Sequence, residues 1–483
     1  MKISIKKYNY LISILLIIII SFLFHYPIQI LDALTLEPVS DYNIKISVWR
    51  IAFEPFLGLL LFFRRGLYTT DEIYFVLRWV IIIFFVYILV RFFVKENRSN
   101  KKKYLITQFI NLPLVVGLWF TFFVMILFIP LPNNTIINNS SDEILVTTHS
   151  HSQFSHDGII RQKSLWKWHK NNGFDAFFIT DHNTHDRTID FVQAQRNSKF
   201  PIEPLVMAGE EFSGSNHFSL LGLKRKFNTH GYTDSQIIDS VRAHKGAIIV
   251  NHWFDNENKS LEYYRDLGVD GFEIENSATD LYYNRELYQR IKDFCISNSL
   301  IMNGGLDFHG YGNACTIWNA MKIPGWHKLD PVSKEEAILE IIRSKDQSKL
   351  RILMYNDRPY YNKDNLFWIP IKTFFNYFRT LSTIQVMWWI IWILIFTLTK
   401  KIISSKKGLK KRLSLNKVIP VISVFSALMM LILGSFYFSE IKNVVGSQND
   451  IYEEYSTLLL YIGSSFLIYS VIVAYFRNLK KEA

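Results

Sequence analysis

Six stretches of this chain are apolar over the length that a bilayer demands, and they fall in two blocks around an ordinary globular middle. A hydrocarbon core takes about 20 mostly apolar residues in helical form. Residues 8–28, 72–94, 105–129, 384–399, 418–438 and 457–476 meet that requirement. Lys2, Lys6 and Lys7 precede the first stretch as they would a signal peptide. The stretch is long and lacks a small-residue cleavage site, so it is expected to stay as an anchor. A further apolar segment, 48–63, carries Arg50, Glu54 and Pro55. It is expected to lie at the interface, re-enter or sit among helices rather than span.

Basic residues flank these stretches. Segment 91–104 holds Arg91, Lys95, Arg98, Lys101, Lys102 and Lys103; segment 400–417 holds seven Lys and one Arg; the tail adds Arg477, Lys480 and Lys481. Positive charge marks the cytoplasmic side. Six spans with both termini in the cytoplasm keep every basic run inside. The acidic loops near 32–41 and 440–454, and the globular middle, then fall outside the cell membrane. Counting 48–63 as a span would reverse the middle. The net charge of +12 is absorbed by these flanking runs. No basic groove with interleaved aromatics is left for nucleic acid, which is not expected as a partner. Cys295 and Cys315 form no metal-binding pair by spacing and are expected as isolated buried thiols.

The linker 130–141, rich in Pro, Asn and Ser, and the interruption around Pro359 and Pro370 divide the chain into three regions: 1–132, 143–356 and 371–483. The middle alternates. Strands are expected at 144–148, 175–180, 205–208, 218–223, 247–251, 271–275, 299–304 and 350–354. Helices are expected at 163–170, 188–197, 234–244 (capped by Thr233), 283–297 and 334–344. This is the pattern of parallel βα units.

Polar residues punctuate the strand ends: His149, Asp181 with His182, Glu211, His252, Glu275 and Asp307. In a parallel barrel that end builds the active site. Imidazole and carboxylate without thiols suit Zn, Mn or Fe. His149 and His151 alternate along a strand and so share a face, as do Asp307 and His309. Gly158 lets the loop fold Asp157 back over the site. Of Glu210 and Glu211, period two lets only one face inward. Each group also has a bland explanation: a turn aspartate, a capping Asp181, a satisfied core histidine. Six strand ends finishing this way are harder to explain so.

Taken together these residues resemble the PHP (polymerase and histidinol phosphatase) domain phosphoesterases. The resemblance rests on His149-Ser-His151 with Ser155-His-Asp157-Gly158, on Ile179-Thr-Asp-His182, on Gly209-Glu-Glu211, on His217 in HFSLLG, on His252 and on Asp307-Phe-His309. It covers residues 143–355 and leaves the apolar ends unexplained. It implies an α/β fold, a distorted (β/α)7 barrel inserted between two bundles of transmembrane helices. It further implies two or three divalent metal ions held by His149, His151, Asp157, His182, Glu211, His252, Asp307 and His309. In this scheme His217 is a less secure further ligand or the catalytic imidazole, with His156 and His185, expected on exposed loops, as weaker candidates to protonate a leaving oxygen. Arg161 or Arg187 is a candidate to contact phosphate, with surface placement the default for either. Two departures stand out: Trp253 replaces the family's usual proline and would reshape the pocket, and Thr147-Thr148 replaces the usual Asp. The expected activity is hydrolysis of a phosphate ester on a phosphorylated small molecule or lipid-linked substrate beside the bilayer. The alternatives are a metal-dependent amide hydrolase and a catalytically silent metal- or ligand-binding module of a membrane sensor.

Overall fold

The computed structural model describes residues 9–64, 69–94, 98–129, 134–255, 257–277, 285–312, 315–359, 367–405, 415–445 and 449–479. The basic positions at 95–97, 406–414 and 480–483, and the linker positions 130–133 and 360–366, lie outside the described residues.

The N-terminal region runs through α1 (Asn9–Leu23), β1 (Gln29–Asp32), β2 (Tyr42–Lys45), α2 (Val48–Ala52), α3 (Glu54–Arg64), α4 (Thr69–Val94) and α5 (Arg98–Phe128). The first expected span, 8–28, appears among the described residues as α1, whose 15 residues rise about 22 Å against a core of about 30 Å. Segment 48–63 is broken into α2 and α3; its first half is turned inside out, while Leu61, Phe62 and Phe63 stay buried. Arg50, Glu54 and Arg64 are buried, while Val48, Trp49, Phe53 and Phe56 are exposed. Charge that faces protein and apolar surface that faces outward suit a helix pair lying against lipid rather than crossing it.

The middle continues with β3 (Thr135–Asn138), β4 (Glu143–Thr147), α6 (Gln162–Asn171), β5 (Ala176–Ile179), α7 (Asp186–Arg196), β6 (Leu205–Ser213), β7 (His217–Leu221), α8 (Asp234–Ala243), β8 (Ala247–Val250), α9 (Leu261–Leu267), β9 (Gly271–Asn276), α10 (Arg285–Ser297), β10 (Ile301–Gly305), β11 (Ile317–Lys322), α11 (Pro331–Ser344) and β12 (Leu350–Asn356). Ten strands form one curled sheet in the order β1-β12-β11-β4-β5-β6-β7-β8-β9-β10, and β2 pairs with β3 apart from it. Strands β4, β5, β6, β8, β9, β10 and β12 run one way, and β1, β7 and β11 run against them. That supplies the seven co-directional strands of the expected barrel. The sheet curls back on itself where β10, at one end, meets β11, third from the other: Asn319 of β11 exchanges hydrogen bonds with the backbone of Gly304 in β10 (2.8 and 2.9 Å). Two expectations need correction. Segment 218–223 pairs antiparallel with both neighbours, because the short Gly-Ser-Asn turn at 214–216 closes a hairpin that leaves no room for a crossover helix. Strand β11 and helix α9 were not foreseen.

The helices form for ordinary reasons. Thr233 accepts the Gln236 N–H and the Gln236 side chain returns to the Thr233 N–H, which closes a capping box on α8. Asp330 caps α11 over its first two free N–H groups, ahead of Pro331. Their apolar faces cover strands that are buried on both sides, such as Ala176–Ile179 and Ala247–Val250. Cys295 and Cys315 are free and buried in separate parts of this core, as expected. Burial pushes the Cys295 thiol up to about 12 and raises Cys315 as well. Neither thiol is expected to react with iodoacetamide in the folded protein, and mass spectra should show adducts only after denaturation.

The C-terminal region comprises α12 (Ile369–Arg379), α13 (Thr383–Ser405), α14 (Leu415–Glu440) and α15 (Ile451–Leu479). Five helices of the described residues, α4, α5, α13, α14 and α15, are long and apolar enough to cross a membrane. Helices α14 and α15 approach closely where Gly434 meets Leu459 and Leu460 and Gly463 meets Leu431.

Candidate metal centre

The co-directional strands deliver their C-terminal ends to one rim, and the rim gathers all nine site residues read from the sequence. Glu211 is at the centre. Its Oε2 lies 3.0 Å from His149 Nε2, 3.1 Å from His151 Nε2 and 3.3 Å from His182 Nε2. Its Oε1 lies 3.1 Å from both His217 Nδ1 and His252 Nε2. Asp307 Oδ1 faces His149 and His151 at 3.2 and 3.1 Å. Asp157 Oδ2 faces His309 at 2.9 Å and His182 at 3.3 Å.

Three overlapping donor groups result: His151, Asp157, His182 and His309; His149, His151, Glu211 and Asp307; and His182, Glu211 and His217, each with ligand atoms within 4.8 Å of one another. His252 lies outside these groups but shares Glu211.

Divalent metal fits this donor set on spacing. Ligands at about 2.0–2.2 Å around a tetrahedral ion sit roughly 3.3–3.5 Å apart, close to the separations above. His149 Nε2 and His151 Nε2 are 3.0 Å apart and face the same oxygens. His217 Nδ1 makes no hydrogen bond although Glu211 Oε1 is 3.1 Å away. A ring nitrogen this close to a carboxylate oxygen without an aligned hydrogen bond suits a shared cation.

The site is strongly polarised. Burial would raise the Glu211 carboxyl, but the charges of His149 and His182 hold it well below the usual carboxylate range. Asp157 and Asp307 are likewise held low by neighbouring histidines against burial. Burial lowers His182. For His151 burial is outweighed by Asp307 and Glu211, which lift the imidazole to about 10. His252 and Asp307 also carry positive φ (23° and 50°). Non-glycine residues in this region store strain of order 1–3 kcal/mol, and such strain concentrates at functional sites.

Supporting groups escaped the sequence reading. Glu273 Oε1 lies 2.9 Å from His149 Nδ1, and its Oε2 accepts the His252 N–H (3.2 Å) and the Asn276 side chain (3.1 Å). The sequence singled out Glu275 as the strand-end residue. Glu275 instead pairs with Arg285 at 2.7 Å, because the register shifts between Asn303 and Gly304, opposite this stretch of β9. The available signal was Gly305: a Cβ there would meet Glu273 Oε1 at 2.1 Å. Asn251 donates to Glu211 Oε1 (2.9 Å). Asp181, which the sequence did single out at a strand end, holds the ligand loop in place, accepting the Ser152 N–H and hydroxyl at 2.5 and 2.8 Å.

Several secondary candidates move elsewhere. His185, expected on an exposed loop, is buried against Glu210, the carboxylate that faces away from the site. His156 is 55% exposed, as expected, with its ring 4.5 Å from that of His182. Arg161 pairs with Glu440 rather than facing the site, and Arg187 stacks over Phe154. Trp253 points into the core, where its indole N–H donates to Lys259 O at 2.8 Å. His169 is buried on Phe177, its Nδ1 bonded to Leu165 O, and burial lowers its pKa to about 3.

His169 gives an acid-sensitivity prediction. Its folded pKa lies below the unfolded value of about 6.5, so stability is full above that value and is lost as pH falls through it. This group should cost about 2 kcal/mol between pH 6.5 and 5. Thermal unfolding of the full chain in detergent should show this loss, and His169→Phe should remove that part of it.

A family model for the PHP domain matches residues 147–293. A two-domain Bacteroides vulgatus protein, described as containing a PHP-like metal-dependent phosphoesterase, is 18% identical; the match covers 44% of this chain and 65% of that one, with a TM-score of 0.33. This chain thus spans less than two thirds of that protein. A candidate metal-dependent phosphoesterase from Bifidobacterium adolescentis is 15% identical, over 35% of this chain and 88% of that one, with a TM-score of 0.28. An amidohydrolase from Chromobacterium violaceum is 12% identical, over 40% of this chain and 96% of that one, with a TM-score of 0.29. No curated protein matches the sequence.

Proposed function

From the PHP domain that residues 147–293 form, we propose that the chain is a membrane-anchored phosphoesterase with two or three divalent ions, Mn, Zn or Fe. The observation that carries this reading is Glu211, whose two oxygens serve five imidazoles at once. His149, His151, Asp157, His182, Glu211, His252, Asp307 and His309 hold the ions. His217 joins them through Nδ1, since it shares the Glu211 carboxylate, rather than serving as a free acid. Bound divalent ions supply an acidified water and a positive seat for phosphoryl oxygens. Glu273 fixes the ring of His149, and Asp181 fixes the loop that carries Asp157. His156, exposed beside His182 and outside the donor groups, passes a proton to the departing ester oxygen in this reading.

The domain faces away from the cytoplasm in this reading, by the charge distribution of the sequence. The test uses the full chain in nanodiscs with Mn²⁺ and three probes: a phosphomonoester, a phosphodiester and an amide. Phosphate-ester turnover that His149→Ala and Asp307→Ala each abolish supports the reading. Turnover that survives both substitutions, or cleavage of the amide alone, overturns it.

A further inference from the structure

The direction of the strands places the helical bundle and the metal-binding rim at the same end of the domain. Strand β12 runs with β4 and leaves the sheet at Asn356, at the rim end. Strand β1 arrives from α1 directly opposite, with Gln29 paired to Asn356. The domain is therefore not tethered by its far side.

The ligand loops themselves are seated on helix ends. The Asn449 side-chain amide, two residues before α15, donates to the carbonyls of Gln153, Ser155 and Gly158 at 2.9, 2.7 and 2.7 Å, bracketing Asp157. Arg161 pairs with Glu440 at the end of α14, and Ile159 packs into the core shared by α5, α14 and α15. On the other ligand loop, Tyr311 follows His309 by two residues and lies 5.8 Å from the ring of Phe128 and 5.7 Å from that of Tyr455. The next residue, Gly312, donates to Leu127 O at 3.0 Å and accepts from Arg64 at 2.7 Å. Phe128, Asn443 and Ile451 are the ends of the apolar membrane-length segments. Asp157 and His309 thus sit on loops that touch the ends of those segments. The side of the site left open carries His156 and His217, whose side chains are 55% and 37% exposed.

An anchor that served only to retain a soluble-substrate enzyme would have no need to hold the catalytic loops. We propose that the substrate is a phosphorylated lipid whose phosphate enters the cleft directly from the bilayer surface; this rests on the phosphoesterase reading above. In the reaction, water forms the new P–O bond and the P–O bond to the lipid alcohol breaks. The proton released by water ends on the departing lipid oxygen.

The full chain is reconstituted in phosphatidylcholine vesicles with Mn²⁺. It is offered phosphatidic acid or phosphatidylglycerol in the same bilayer, and glycerol 3-phosphate, glycerophosphoglycerol or p-nitrophenyl phosphate in solution. The expected result is turnover of p-nitrophenyl phosphate, with at least one lipid cleaved ten or more times faster than its soluble glycerol counterpart at equal bulk concentration. Cleavage of p-nitrophenyl phosphate with both soluble counterparts cleaved as fast as the lipids would overturn the lipid assignment and leave the phosphoesterase reading intact. No cleavage of any ester by protein that retains Mn²⁺ would overturn both.

Discussion

Glu211→Gln is expected to lower phosphate-ester turnover by about a thousandfold, equivalent to about 4 kcal/mol of transition-state stabilisation, and to strip most of the bound metal. The substitution keeps the shape of the side chain and removes its charge. Every donor group but one includes Glu211, and its oxygens also face His252 and Asn251. An amide oxygen can face one nitrogen set, but the NH2 on the other side would point a donor at His217 and His252 or at His149 and His151. The protein should still fold, because the strand around Glu211 is held by backbone pairing with β7. Circular dichroism and elution volume should match wild type while metal content and turnover fall together. Normal metal content with lost turnover would contradict this role.

Glu273→Gln is the second large effect expected, acting on the metal through another side chain. A carboxylate bonded to the far nitrogen of a metal-bound imidazole fixes the ring and raises its basicity, and its loss typically costs 10–100-fold in affinity. Glu273 is fully buried and sits on His149 Nδ1. Competition with a chelator of known affinity should show about that loss in Glu273→Gln, with turnover recovering as Mn²⁺ is raised. A merely structural role would not be rescued by metal. Gly305→Ala should weaken metal binding in the same way, since the added methyl takes the place of the Glu273 carboxylate.

The two substitutions mark where sequence stops being informative. That one of Glu210 and Glu211 faces inward was legible from period two, and the resemblance selected Glu211; His149 with His151 was legible because alternation puts both on one face. Glu273 was not, since a register shift decides how β9 presents its carboxylates and no local signal announces the shift. The direction of β7 was hidden for a similar reason: an apolar five-residue run reads the same either way. Strand β11 was missed although Gly310, Gly312 and Asn313 precede it and Pro324-Gly325 follows, because its run Ile317–Lys322 carries no polar group of the site. The apolar helices were legible from length and composition alone, apart from α1. Their docking against the ligand loops was not, because Asn449 reaches carbonyls nearly three hundred positions earlier in the chain.

The central claim is that this rim is a metal centre, and counting metal tests it most directly. Full-length protein in detergent, equilibrated with Mn²⁺ and dialysed, is measured for manganese per chain by elemental analysis beside Glu211→Gln. Two or three ions per wild-type chain and fewer than half of that in the variant are expected. Less than one ion per wild-type chain, or equal content in the two proteins, would contradict it.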